Sequence, residues 1–281
     1  MIEELVMDFI QNPKRNYISE ADALDESVVG LKLFDTPLIG YADAGDELFE
    51  TFKTDTKITN GRFMPPKEWL HDANTVVSIF MPYSREIKSG NRRDMITPSN
   101  EWLHARYEGQ KLIEELSRFL IDELTKRGYQ CVAPDIDDRF KSFMGTGTSG
   151  TVGNKGLTNS DYGSNWSERH VAFVAGLGTF GLSKGLITKK GIAGRFTSII
   201  TDLKHEPSHR DYQDIYEYCT MCGVCIKNCP AGAITLEQGK DHTLCADYLD
   251  GMLETFYPRY GCGKCQVKVP CQDGIPKKRQ K

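Results

Sequence analysis

The sequence predicts an α+β protein in two parts, a larger one over residues 1–210 and a smaller one over residues 211–281. Three observations carry this expectation. Strand-like and helix-like segments alternate through the first two hundred residues without a regular βαβ rhythm. The stretch from Lys204 to Gln213 is polar and interrupted by Pro207, the character of a linker or a surface crossing. Eight of the nine cysteines lie beyond it, in one C-terminal stretch.

The elements follow in chain order. Residues 75–81 form a short apolar run bounded by Asn74 and Pro82, as a buried strand requires. From about Asn100 to Arg127, Leu112, Ile113, Leu116, Phe119, Leu120 and Leu124 recur at helical spacing, with Gly128 as C-terminal cap. Residues 129–133 read as a strand, with Cys131 a small buried hydrophobe. Residues 145–163 are dominated by Gly, Thr, Ser and Asn and are long for a connection, so they form either a mobile surface loop or a lid over a site. Residues 168–175 carry apolar positions compatible with a helix, and residues 197–203 read as a strand. In the smaller part, residues 233–237 suit a short strand. Cys245 opens a helix with Ala246, Leu249, Leu253 and Phe256 on one face, stopped by Pro258.

The cysteines carry the chemistry. Cys219, Cys222, Cys225 and Cys229, the last followed by Pro230, have the bacterial ferredoxin spacing for a 4Fe-4S cluster. In that motif the fourth thiolate serves a second cluster, and Cys245, Cys262, Cys265 and Cys271 complete eight ligands for two clusters. The cross-over logic assigns Cys219, Cys222, Cys225 and Cys271 to one cluster and Cys229, Cys245, Cys262 and Cys265 to the other. The smaller part is therefore expected to be a ferredoxin-like domain. Two zinc sites or a disulfide framework are the alternatives, and three cysteines at successive x2 spacing followed by x3-Cys-Pro suit a cubane better. The five residues between Cys265 and Cys271 depart from the usual spacing and leave Cys271 the weakest ligand assignment.

Gly176-Leu-Gly178-Thr-Phe-Gly181 matches a dinucleotide fingerprint, with Asp202 about twenty residues beyond. A helix before it, instead of a strand, is the wrong context, and no P-loop lysine follows the 145–156 glycines. What three glycines at this spacing offer is close approach of backbone to a bulky cofactor. The net charge of −4 supplies no global attraction to nucleic acid, and the basic tail Lys277–Lys281 reads as a solvated terminus. Without a visible export signal, twin-arginine leader or apolar span, a cytoplasmic protein with no membrane partner is expected.

Residues 69–79, the run from Ser167 to Gly181 and the isolated Cys245 among the cluster cysteines together resemble the epoxyqueuosine reductase family and its relatives, the reductive dehalogenases. The resemblance covers roughly residues 30 to 271. It implies an N-terminal α/β sandwich-like domain of the flavin-reductase or cobalamin-processing type, holding base-off cobalamin beside the first cluster, with Gly176, Gly178 and Gly181 against the corrin. It also implies an aspartate general acid just before the helix that leads to the glycines. Asp161 matches only with a one-residue shift, Tyr162 stands at the unshifted position, and Glu168 is a further candidate. All three also have a plain reading, in a polar loop or a helix first turn. No Asp-x-His-x-x-Gly ligand motif is present, and Pro207 argues against a helix carrying His205 and His209. His170, His205 and His209 are expected at the surface, whereas Arg169 and Arg195 either meet a cofactor edge or lie on a solvated face.

The expected function is a reductase in which two clusters pass single electrons to a cofactor, cobalamin by resemblance, for a small or nucleoside-like substrate. A low-potential ferredoxin or flavodoxin is the expected donor. A cobalamin-free ferredoxin-like electron carrier or redox partner is the alternative.

Overall fold

The computed structural model describes residues 1–59, 61–143 and 163–277. In chain order the helices are α1 (Ile2–Gln11), α2 (Glu47–Thr54), α3 (Thr56–Thr59), α4 (Pro66–Trp69), α5 (Arg85–Gly90), α6 (Asn100–Lys126), α7 (Glu168–Val174), α8 (Val224–Lys227) and α9 (His242–Phe256). The strands are β1 (Leu38–Asp43), β2 (Thr75–Pro82), β3 (Cys131–Val132), β4 (Gly178–Phe180), β5 (Leu186–Thr188), β6 (Gly194–Thr201), β7 (Ile234–Thr235) and β8 (Gly239–Lys240).

A four-stranded antiparallel sheet in the order β1-β2-β6-β3 forms the centre. Its central strand β2 is buried at all eight positions because both faces are covered, so the apolar run could be read without alternation. On one face α1 and α6 pack Leu5, Val6, Phe9, Leu112, Leu116 and Leu120 against Val77, Ile79 and Ile199. On the other, α2 and α7 bring Phe49, Phe52, Val171 and Val174 onto Val76, Phe80 and Ile200. Residues of β2 and β6 alternate between these cores, the period-two geometry of a strand. Gly40 on β1 allows the Ala175 carbonyl to approach, since a Cβ there would lie 2.2 Å from that oxygen.

Helix α6 agrees with its periodicity, and Gly128 follows it at φ +87°. The expected strand at residues 129–133 shortens to Cys131–Val132, because only these pair with Thr201 and Ile200. Beyond this pairing a 3-10 turn, Pro134–Ile136, runs along β6 instead. Helix α9 forms, but Ala246 is its one fully buried residue, so the face drawn from Leu249, Leu253 and Phe256 is only half covered.

Residues 204–213 cross the surface under restraint. Ser208 N–H donates to the Tyr41 carbonyl at 2.8 Å, Arg210 pairs with Asp46 at 2.9 Å, and the Tyr212 hydroxyl donates to the Phe173 carbonyl. The cysteine-bearing segment is then joined to α5 and α6. Lys88 pairs with Asp273 at 2.7 Å, Arg259 with Glu108 at 2.6 Å, and Asn91 Nδ2 donates to the Cys262 carbonyl at 2.8 Å. Gly263, at φ +68°, lies flat on the Trp102 indole, where a Cβ would come within 1.9 Å of the ring.

Candidate functional site

The eight C-terminal cysteines fall into two groups in space. Cys219, Cys222, Cys225 and Cys271 line one pocket with Gly181, Ile187, Ile192, Val269 and Pro270. Cys271 reaches it because the Ile192 N–H donates to the Cys271 carbonyl at 3.0 Å. Cys229, Cys245, Cys262 and Cys265 form the second group, each within electrostatic reach of others in it. Cys225 and Cys265 are the members through which the two groups approach.

Burial, then neighbouring sulfurs, pushes Cys225 up to about 11. Burial is likewise the leading cause that takes Cys262 and Cys271 up to about 12. Such thiols carry no charge at neutral pH alone, so a set of thiolates here needs a cationic core at its centre, which an iron cluster supplies. Each quartet supplies the four cysteines that a cubane takes, and that residue type and number fit the cluster chemistry.

The first turn of α7 sends three neighbouring side chains to three places. Glu168 turns to the sheet, where its Oε1 accepts from Trp166 Nε1 and from Ser198 Oγ, each at 3.1 Å. Its Oε2 is buried and unpartnered among the described residues. Burial, followed by the charge of Asp135, raises the Glu168 carboxyl to about 8. Asp135, in the turn beside β6, is itself raised to about 6, chiefly by burial, while Thr197 donates to its Oδ2 at 3.1 Å. The edge of β6 beyond β3 thus carries two carboxyls raised by burial, Glu168 to above neutrality and Asp135 to below it.

Arg169 is solvent-accessible yet walled in by protein, and it lies within electrostatic reach of Arg106, Arg195, Cys265 and Cys245. His170 is half-buried, against the expectation of a surface residue. Its ring packs on Phe52 and Phe180 with centroids 5.0 and 4.8 Å away, and Nδ1 shares a 2.7 Å hydrogen bond with Ser167 Oγ. Burial, then Arg169, lowers it to about 4, so the ring is neutral and engaged. His205 stacks on Tyr41 with centroids 3.6 Å apart, and His209 is exposed beside Asp211.

The basic groups cluster beside the second quartet. Burial opposes the charge of Lys240, but Cys265, Cys245 and Cys229 outweigh it and raise its pKa. The Arg106 guanidinium stands 4.6 Å over the Tyr260 ring, near Cys245. The Nε atoms of Arg106 and Arg195 are buried without a partner among the described residues. Orphaned donors and the free Oε2 of Glu168 fit a cofactor edged with amide oxygens and amide N–H groups, as a corrin is.

The glycine run also serves packing. A Cβ on Gly176, which sits at φ +80°, would lie 3.0 Å from the His209 carbonyl oxygen, and one on Gly178 would lie 2.0 Å from the Ile187 oxygen. Both are required by packing against backbone. Gly181 lines the pocket of the first quartet. Strand β4, not a helix, follows Gly176, which removes the dinucleotide reading. Asp161 and Tyr162 lie outside the described residues, as does nearly all of the 145–163 stretch. Lys264 and Asp135 were missed in the sequence, where a lysine between two cysteines and an Asp after a proline carry no periodic signal.

Residues 212–235 match the family of 4Fe-4S binding domains, a segment that holds Cys219, Cys222, Cys225 and Cys229. Over 122 residues the chain is 33% identical to epoxyqueuosine reductase of Francisella cf. novicida (strain Fx1), covering 39% of this chain and 33% of that relative. The chain is similar to the epoxyqueuosine reductases. The aligned stretch spans about a third of this curated relative's length. An epoxyqueuosine reductase solved with an epoxyqueuosine-modified tRNA-Tyr stem loop superimposes with a TM-score of 0.50 at 17% identity, over 99% of this chain and 68% of that one. A reductive dehalogenase whose structure suggests a mechanism for B12-dependent dehalogenation gives 0.54 at 15% identity, over 85% of this chain and 30% of that one. The α+β architecture with a ferredoxin-like C-terminal region is thus the fold of these neighbours. No described helix is long and apolar enough to cross a membrane.

Proposed function

We propose that the chain is an iron-sulfur reductase, with residues 1–210 forming the cofactor and substrate part and residues 211–281 the cluster part. The observation that carries this reading is the separation of eight cysteines into two quartets, one of them facing Arg169, Arg106 and Lys240. Cys219, Cys222, Cys225 and Cys271 would hold one 4Fe-4S cluster, and Cys229, Cys245, Cys262 and Cys265 the other. The clusters supply one-electron chemistry. A base-off cobalamin, if held by Arg106, Arg169 and Arg195 at its edge, supplies a low-potential cobalt centre for reduction of the substrate.

The protein's own residues orient that cofactor and manage the proton. Glu168 holds a proton at Oε2 at neutral pH, the state a general acid needs. Ser198 and Trp166 fix the other oxygen, so the protonated oxygen has one direction. Asp161 and Tyr162 remain the other proton donors inferred from sequence. The substrate inferred is small or nucleoside-like, and a nucleoside carried in tRNA belongs among those to be tried. The electron donor inferred is a low-potential ferredoxin or flavodoxin, and the setting is the cytoplasm.

The test is anaerobic purification, addition of hydroxocobalamin, removal of the excess, and a visible spectrum with iron and cobalt quantified. Near-stoichiometric cobalt with a base-off spectrum beside about eight irons per chain supports the proposal. About eight irons with no retained corrin would make the chain a cobalamin-free electron carrier. About two zinc atoms without iron would overturn both readings.

A further inference from the structure

The two cysteine quartets differ sharply in the charges around them. Lys264 is built into the Cys262-Gly-Lys-Cys265 run and is fully buried. Its Nζ donates to Asn91 O, Asn91 Oδ1 and Asp94 O at 3.0, 2.7 and 2.7 Å, and all three acceptors are neutral amide oxygens. Lys240 and Arg169 lie within electrostatic reach of Cys245 and Cys265, and Arg106 within reach of Cys245. The sulfurs of Cys225 and Cys271 feel chiefly other cysteines. Acidic groups do not cancel this difference. Asp94 stands within electrostatic reach of Lys264 and offsets part of its charge, but the leading charges felt by Lys240 and Arg169 are those of cysteines and arginines.

We propose that Lys264, Lys240, Arg169 and Arg106 set the reduction potential of a cluster held by Cys229, Cys245, Cys262 and Cys265 above that of one held by Cys219, Cys222, Cys225 and Cys271. This rests on the reading of both quartets as cluster sites. Reduction adds one negative charge to an assembly whose four thiolates are already anionic. A fixed cation nearby favours that added charge, and more strongly in a poorly solvated interior than in water. The exposure of Cys222 acts in the opposite direction, since water at the first quartet also favours the added charge. One exposed ligand is set against four cations, and the cations decide the order.

In the step concerned, an external low-potential one-electron donor loses one electron and the protein gains one, with no bond or proton exchanged. The exposed edge at Cys222 is where such a donor can approach. The added electron then comes to rest at the interior quartet, beside Arg169 and one residue in sequence from Glu168. The cations so give the C-terminal segment a direction, from surface to site.

The experiment is a potentiometric titration of the iron-loaded full chain followed by electron paramagnetic resonance, with a Cys222→Ser variant to mark the signal of the first quartet. Lys240→Gln and Arg169→Gln are each expected to lower the higher midpoint potential and leave the Cys222-sensitive one in place. Lys189→Gln, at an exposed lysine paired with Asp211, is expected to move neither. Unchanged potentials in both variants, or a shift confined to the Cys222-sensitive signal, would overturn the inference while leaving two clusters in place. A wild-type chain that loads fewer than two clusters would instead overturn the proposed function. Iron loss in both variants would assign the cations to cluster assembly and also defeat the inference.

Discussion

The Ser198 hydroxyl donates to Glu168 Oε1 at 3.1 Å, tying the first turn of α7 to the buried strand β6 and leaving Oε2 unpartnered among the described residues. The arrangement holds a carboxyl where its ionised form is poorly solvated. Asp135 nearby adds a second charge of the same sign.

Replacing Glu168 with Gln is expected to keep the contact to Ser198 and remove the proton. If Glu168 is the general acid, turnover falls about a hundred-fold or more, and the pH limb near 8 disappears from the rate profile. Folding should report the same group. Its carboxyl titrates near 8 in the fold against 4.5 when free, so between these values the unfolded chain is ionised and the folded chain is not. Stability therefore falls as pH rises through that window and levels off above it. Urea midpoints measured across the window should decline less steeply in Glu168→Gln than in the wild type. Equal slopes would remove Glu168 as the titrating group.

Glu108 joins two parts of the chain. Its carboxylate accepts from Arg259 at 2.6 and 3.1 Å and meets His104 Nδ1 at 2.9 Å, while the Leu24 N–H donates to the other ring nitrogen. Burial opposes its charge, but His104 and Arg259 outweigh it and lower the pKa, so its contribution is present above 4.5 and is lost as pH falls through the lowered value. Glu108→Ala strands Arg259 and is expected to cost about 3–5 kcal/mol, seen as a lower denaturation midpoint at neutral pH. A change under about 1 kcal/mol would show the pair to be worth no more than a surface bridge.

Cys271 is the ligand whose spacing departs from the ferredoxin pattern, yet it lines the same pocket as Cys219, Cys222 and Cys225. Cys271→Ser is expected to reduce iron from about eight per chain and to alter one cluster signal only. Cys131→Ser, far along the chain at the end of the central sheet, is expected to leave iron unchanged. Full iron loading in Cys271→Ser would remove it from the ligand set.

Gly263 is pressed onto Trp102 with a left-handed backbone. Adding a methyl group there forces the indole or the cysteine loop to move and strains the backbone. Gly263→Ala is expected to cost about 2–4 kcal/mol and to disturb the cluster next to Cys262 and Cys265 while sparing the other. Iron content and thermal midpoint measure this together.

Local features were legible in the residues alone. Helix α6 announced itself through apolar residues at three and four, and β2 through an unbroken apolar run. Strand β3 was overextended because its length depends on how far β6 runs beside it, which no window of residues 129–133 contains. His170 read as a surface residue because its neighbours Phe52 and Phe180 are remote in sequence. Asp161 and Tyr162 were read from the family's pattern, whereas Glu168 gains its standing from burial against β6.

By itself the sequence determined the ferredoxin-type cysteine spacing, the α+β class and the places of α6 and β2, since ligand spacing and hydrophobic period are properties of short stretches of chain. Only the tertiary structure decided the surroundings. Lys264 reaches Asn91 across 173 positions, Gly263 meets Trp102, and Arg169 comes within electrostatic reach of Cys245 and Cys265. Burial and electrostatic fields are sums over neighbours in space, and those neighbours exist only once the chain has folded.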